Sequence, residues 1–104
     1  NEPKLSLYNV MNYPNPAVDG TTFTFEHDRI GEALDINLCI YDTRGNIISK
    51  ELYKIDDSPK KVDDLYLAFP PGRFRKGIYL FRIEVSSTQD QAKGSAIERL
   101  IINN

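Results

Sequence analysis

His27 and Cys39 are the only histidine and the only cysteine of the chain, so nucleophilic or metal chemistry would have to be built around them. His27 stands between Glu26 and Asp28, and a carboxylate beside an imidazole is how a general base or a metal ligand is oriented. The plainer expectation is a solvent-facing residue at the end of a strand. A Cys39–His27 pair would need contact across the fold, and no Gly-x-Ser-x-Gly elbow offers another nucleophile. One cysteine forms no intrachain disulfide and no thiolate cluster, so Cys39 is expected to be a small packing residue without a redox role. Asp56-Asp57-Ser58 with Asp63-Asp64 lacks the ligand spacing and the glycine of a calcium loop, which leaves solvated loop charge. The basic group of Lys60-Lys61 and Arg73-Phe74-Arg75-Lys76 has two readings. Arginines flanking a phenylalanine suit an anionic glycan or lipid headgroup, and a charged turn equally protects a strand edge. Together these residues form no catalytic set, no metal site and no cofactor site, so the domain is expected to catalyse nothing itself.

What must position these side chains is a series of short strands. The chain has 104 residues, 40% hydrophobic and 27% charged, enough for one domain on a single core. A net charge of −2 with scattered Lys and Arg gives no electrostatic case for nucleic acid. No apolar run approaches the about 18 residues that a transmembrane helix needs. Asn1-Glu2-Pro3-Lys4 lacks the basic-then-apolar layout of a secretory signal, and no initiating Met precedes it. The expectation is a segment of a longer precursor.

Seven strand candidates are bounded by turn chemistry: Leu5 to Met11, Thr21 to His27, Asp35 to Tyr41, Asn46 to Lys54, Val62 to Phe69, Gly77 to Ser86 and Ser95 to Asn103. Phe23 and Phe25 share one face, and so do Ile36, Leu38 and Ile40. With Tyr79, Phe81, Ile83 and Val85 they are the expected core, while Arg82 and Glu84 face water. Asp42-Thr43-Arg44-Gly45 suits a type I turn with Gly45 in the left-handed region. Val18-Asp19-Gly20 makes another turn, and Ser87 to Gly94 reads as an exposed hairpin loop. Residues 28–34 hold at most one helical turn. Leu65-Tyr66-Leu67-Ala68-Phe69 is apolar on both faces, so either both faces are covered or one is an exposed patch. Pro70-Pro71-Gly72 stops that strand. The pattern predicts an immunoglobulin-like antiparallel β-sandwich of about seven strands with Greek-key connections.

Four motifs stand in order along this framework. Tyr13-Pro14-Asn15-Pro16 is a stiff corner, because both prolines fix φ and lack an N–H while the residues before them are pushed to extended backbone. The Gly45 turn follows. Gly77-Ile78-Tyr79 then opens a strand: glycine allows irregular backbone, and Tyr79 brings a large ring whose hydroxyl needs a partner, as in a tyrosine corner. Arg99-Leu100-Ile101-Ile102 closes the chain with Asn103 and Asn104. In this order, over roughly residues 12 to 104, the chain resembles the C-terminal sorting domain of the bacterial type IX secretion system, a relative of the immunoglobulin-like domain of flagellar hook-cap proteins.

The resemblance implies a non-catalytic signal that a translocon and a sorting protease of the outer membrane recognise. The protease removes the signal and joins the cargo to a surface lipopolysaccharide, although some machinery components retain the domain. It further implies an upstream cargo domain in the same precursor, with residues 1–11 as first strand or linker, and a route through the periplasm to the outer membrane surface or the medium. The recognition residues it implies are Arg99, Leu100, Ile101, Ile102, Asn103 and Asn104, with Arg99 where the family often has Lys. A last strand at a sheet edge also offers unpaired N–H and C=O groups for strand addition. Two rivals remain at this point. One is a generic immunoglobulin-like accessory domain of an extracellular protease or glycosidase. The other is a carbohydrate-binding module, for which Tyr53, Tyr66, Phe69 and Phe74 would have to form an exposed row.

Overall fold

Strict alternation of apolar and polar residues decides the architecture. In β2 (Gly20–His27) Phe23 and Phe25 are fully buried, while Thr22, Thr24 and Glu26 turn outward and are only half-covered. The period of two repeats in β3 (Leu34–Tyr41), with Ile36, Leu38 and Ile40 inside. It repeats again in β6 (Gly77–Ser87), with Tyr79, Phe81, Ile83 and Val85 inside. All nine expected core residues are therefore buried, and Arg82 and Glu84 face outward as an ion pair at 3.2 Å. The remaining strands are β1 (Leu7–Tyr13), β4 (Ile47–Ile55), β5 (Lys61–Ala68) and β7 (Lys93–Ile102). The computed structural model describes residues 4–70 and 72–104 and holds no helix among them. The chain start Asn1-Glu2-Pro3 and the Pro71 of the Pro-Pro-Gly stop lie outside the described residues.

Two sheets face one another, β1-β2-β5 and β4-β3-β6-β7, with every neighbouring pair antiparallel. This three-plus-four sandwich is the immunoglobulin-like arrangement expected from the strand spacing. Phe23 of one sheet meets Phe81 of the other edge to face, with ring centroids 4.8 Å apart, so this pair joins the layers at the centre of the core. Each such buried phenylalanine stabilises the fold by about 1.5–3 kcal/mol in burial alone.

Strand ends shift from expectation by up to two residues, most at β7, which already begins at Lys93, and at β1. β1 starts at Leu7 and runs on through Tyr13, two residues later at each end than expected. Asn9 takes a positive φ of 52°, and the register against β2 shifts between Tyr8 and Met11, as an inserted bulge residue requires. Leu5, left out of the strand, is buried instead: its carbonyl and side chain lie directly over Gly94, where any Cβ would collide with them. Residues 28–34 hold a single hydrogen-bonded turn, Glu32 N–H to Arg29 O at 3.2 Å, and no helical element, within what was expected. Their backbone is tied to its neighbours by Gly31 N–H to Ser58 O at 2.7 Å and Ser58 N–H to Glu32 O at 3.2 Å. β5 shows which of the two expected arrangements holds. Leu65 is buried and Leu67 half-buried, but Tyr66 is exposed and lies over Gly20, so the outward face of this strand carries one uncovered ring.

The β3–β4 hairpin closes as its sequence dictates. Gly45 sits at φ 88° with open space around it, and its N–H reaches Asp42 O at 3.1 Å. Asp42 Oδ1 accepts from the N–H groups of Arg44 and Asn46, each at 2.9 Å, an Asx cap that fixes the turn. With Asn46 Nδ2 donating to Oδ2, the carboxyl of Asp42 is held below the usual carboxylate range, first by this side-chain bond and then by the backbone donors.

Candidate functional site

The proline corner and the chain end, far apart in sequence, meet in space. Both X-Pro bonds of the corner, Tyr13-Pro14 and Asn15-Pro16, are cis. The corner is fixed from beneath by Thr21, whose hydroxyl donates to Pro14 O at 2.9 Å and accepts from buried Asn12 at 3.2 Å. Asn15 then lies along the outer edge of β7. Its Oδ1 accepts from Ile101 N–H at 3.1 Å and its Nδ2 donates to Arg99 O at 3.5 Å. One side-chain amide thus stands where a neighbouring strand would offer a peptide group. The backbone of Ala17 continues the pairing: its N–H reaches Ile101 O and its carbonyl accepts from Asn103 N–H, both at 2.8 Å. Ala17 and Ile102 form a parallel bridge.

The expected open edge therefore needs correction for the last half of β7. The outward N–H and C=O groups of Ile101, the N–H of Asn103 and the C=O of Arg99 are taken by the corner. Prolines cannot themselves donate to a ladder, and the chain meets this by alternating them with Asn15 and Ala17, which can. Of the six expected recognition residues, Leu100 and Ile102 point inward and are buried, Ile101 is half-buried, and Arg99, Asn103 and Asn104 are exposed. Asn104 is also anchored, its Nδ2 donating to Phe74 O at 2.8 Å.

That contact explains the basic turn. Phe74 is 2% exposed and packs on Phe69 at 4.6 Å between centroids and edge-on against Tyr79 at 6.3 Å. Arg73 lies over its outer face, 5.7 Å from the centroid. The ring is a plug under the turn, with Arg73, Arg75 and Lys76 exposed around it. Tyr79 donates its hydroxyl to Arg75 O at 2.6 Å, the tyrosine-corner bond that its sequence position predicts. Gly77 opens β6 at φ 157° with open space where a Cβ would lie. With Phe69 and Phe74 buried, the exposed row of four aromatics does not exist. Tyr13 and Tyr66 do share the outer face of the three-stranded sheet, both in register with Thr22 between them.

The residues with chemical potential are dispersed. His27 is 1% exposed, not solvent-facing. Its Nδ1 accepts from Arg29 N–H at 2.9 Å and its Nε2 bonds Pro59 O at 2.7 Å, so both ring nitrogens are used in joining β2 to two loops. Arg29 extends the joint through Glu32 and Asp90, each at 2.9 Å, and holds the Asp90 carboxyl below the usual range. Cys39 is half-buried on the outward face of β3, in register with Lys50 and Arg82 and away from His27. No group of three or more His, Cys, Asp or Glu side chains is placed to hold a metal ion among the described residues. No helix there is long and apolar enough to cross a membrane.

Fold and surface define a class first: an all-β module whose most constructed feature is a closed, anchored chain end. The family follows from sequence. Residues 11–103 match the model of the secretion system C-terminal sorting domain, and the chain belongs to that family. It is a sorting signal of the type IX secretion system, a kind of domain that is in general non-catalytic and that implies export to the cell surface or the extracellular space. No curated protein matches the chain. Among solved structures it is similar to dimeric latent PorU from Porphyromonas gingivalis, at 23% identity and a TM-score of 0.66, over 89% of this chain and 9% of that one. It is also similar to PorZ of the same organism, described as an essential bacterial surface component of the type IX secretion system, at 20% identity and a TM-score of 0.43. That match covers 92% of this chain and 12% of PorZ. The PorU likeness shows the shared fold, and the chain spans only a small part of either protein.

Proposed function

We propose that residues 1–104 are one sorting domain, with β1 (Leu7–Tyr13) as its first strand and the residues ahead of it as linker, and that its recognition surface is the chain end from Arg99 to Asn104 as held by the corner. In this reading the type IX translocon and sorting protease of the outer membrane engage the folded end while an upstream cargo follows it. The route runs through the periplasm to the outer membrane surface or the medium, and any catalysis belongs to the cargo. The observation that carries the reading is the double anchoring of the chain end, by Asn15 and Ala17 on one side and by Phe74 O on the other. Asn103 and Asn104 are polar and exposed, yet both are held in place by these bonds.

Deleting both asparagines would remove two hydrogen bonds, so stability would fall by about 1–3 kcal/mol along with the signal. Asn103→Ala with Asn104→Ala is the cleaner perturbation, because the backbone N–H that bonds Ala17 remains. A reporter fused ahead of this double variant should stay folded in the periplasm of a type IX-competent bacterium and fail to reach its surface. Normal surface delivery of the stable variant refutes the assignment and moves recognition to the loops.

A further inference from the structure

The outward face of the four-stranded sheet is solvated on one side of the sandwich, yet it is apolar where polar residues are expected. Ile47, Leu80, Ile78 and Ile97 are each 41–58% exposed and stand on this one face, and the ring of Tyr41 lies between Ile47 and Leu80 in register. That row of Ile47, Tyr41 and Leu80 ends in Arg99 on β7, and the next row across the sheet reads Lys50, Cys39, Arg82, Ile97. From the Cys39 row to the chain end, the outward-facing positions of these strands hold no Asp or Glu, and the exposed Glu98 alternates to the other side of β7. Arg82 is paired with Glu84, but Lys50 and Arg99 form no salt bridge among the described residues. In a chain of net charge −2 this concentration runs against the whole. Beside the apolar residues is a hollow of about 440 Å³ whose lining includes Asn37, Cys39, Lys50 and Leu52 together with the carboxylates Glu51 and Glu84.

We infer that this face is a docking platform for an apolar protein surface that carries carboxylates, supplied by the export machinery. The inference rests on the sorting reading above and extends its contact area from the chain end onto the sheet through Arg99. Charge complementarity selects carboxylates as the partners of Lys50 and Arg99. Geometry selects a protein over a lipid headgroup. The two cations stand on the opposite edge strands β4 and β7, three strand spacings across and two residues along, or about 16 Å apart. They do not converge on a point as a phosphate site requires, whereas flat apolar area between spaced charges is what a protein interface buries.

The test uses the whole 104-residue chain behind a reporter in a type IX-competent bacterium. Leu80→Thr with Ile97→Thr keeps strand-forming residues at exposed positions, and Lys50→Glu reverses one charge. Each should lower surface delivery at least about tenfold with the thermal midpoint nearly unchanged, while Met11→Thr on the opposite sheet should deliver normally. Failure of Asn103→Ala/Asn104→Ala beside normal delivery of the platform variants overturns this inference and leaves the chain-end reading standing. Normal delivery of all of them overturns both. Binding of the chain to phosphatidylglycerol vesicles that is lost in Lys50→Glu makes the face a lipid surface and refutes a protein occupant. Concentration-dependent dimerisation in sedimentation velocity, abolished by Leu80→Thr/Ile97→Thr, refutes it in favour of a second copy of this chain.

Discussion

Asn15→Ala should release the chain end while leaving the sandwich folded. The change removes an acceptor from Ile101 N–H at 3.1 Å and a longer donor to Arg99 O at 3.5 Å. A typical intramolecular hydrogen bond contributes about 0.5–1.5 kcal/mol net, and the 3.5 Å contact belongs at or below the bottom of that range. Asn15 is exposed, so water can reach the freed groups and no buried-group penalty adds to the loss. The sum is about 0.5–2 kcal/mol, or roughly 2–16 °C in thermal midpoint for a domain of this size. Global stability alone would not locate the effect, so the decisive assay is amide hydrogen exchange. Ile101 N–H, bonded only to the Asn15 side chain on the outward edge, should lose its protection. Leu100 N–H faces β6 and should keep it to within the global change. An unpaired edge also invites pairing with another chain, so the variant should self-associate at high concentration where the parent does not. Unchanged exchange at Ile101 with a stability loss below about 0.3 kcal/mol would refute the account of Asn15 as a stand-in strand.

Three further outcomes test the rest of the argument. Phe81→Ala should cost about 3–5 kcal/mol in urea titration because it empties the contact with Phe23, whereas Leu80→Ala and Arg82→Ala on the opposite face should each cost well under 1.5 kcal/mol, about the value of a single net hydrogen bond. Gly20→Ala should lower the thermal midpoint, since a Cβ there meets the Tyr66 hydroxyl and lies 2.7 Å from Leu67 O, and Tyr66→Ala in the same chain should recover only part of the loss because the carbonyl stays. The stability advantage of the parent over Asp42→Ala should be complete above the ordinary aspartate value of about 3.9 and should fade as pH drops through the lower value of the folded carboxyl, which acid titration of the two proteins measures.

How far the fold could be read from sequence depended on whether burial was one-sided. β2, β3 and β6 each bury every second residue, so alternation fixed their extent and their inward faces. β1 was misplaced because its period breaks at Asn9, and a bulge leaves no composition signal strong enough to mark it. His27 was readable: it follows Phe23 and Phe25 at the same two-residue step, which puts it on the inward face, and its neighbouring acids drew attention away from that pattern. Phe74 was not readable, since it sits in a turn and is buried by Phe69, Tyr79 and Arg73 from separate parts of the chain. The two halves of the candidate site were visible as motifs, but their union was not. Asn15 and Ile101 lie 86 positions apart, and their bond joins a side-chain amide to a backbone group, a pairing that no strand periodicity encodes.

That separation bears on what a receptor can recognise. A linear signal at the chain end would exist as soon as its six residues were made. Here the outward groups of Ile101 and Asn103 are satisfied only when the first corner has met the last strand, and Asn104 is anchored only when Phe74 is in place. Bringing residues so distant together costs loop-closure entropy that only the assembled core offsets, so the arrangement is absent from the unfolded chain and from any short terminal peptide. With Leu100 and Ile102 turned into that core, what remains outside is Arg99, Asn103 and Asn104 at spacings set by the strand. A receptor that reads these three positions therefore reads the folded state of the whole sandwich, and a domain that has failed to fold does not present them.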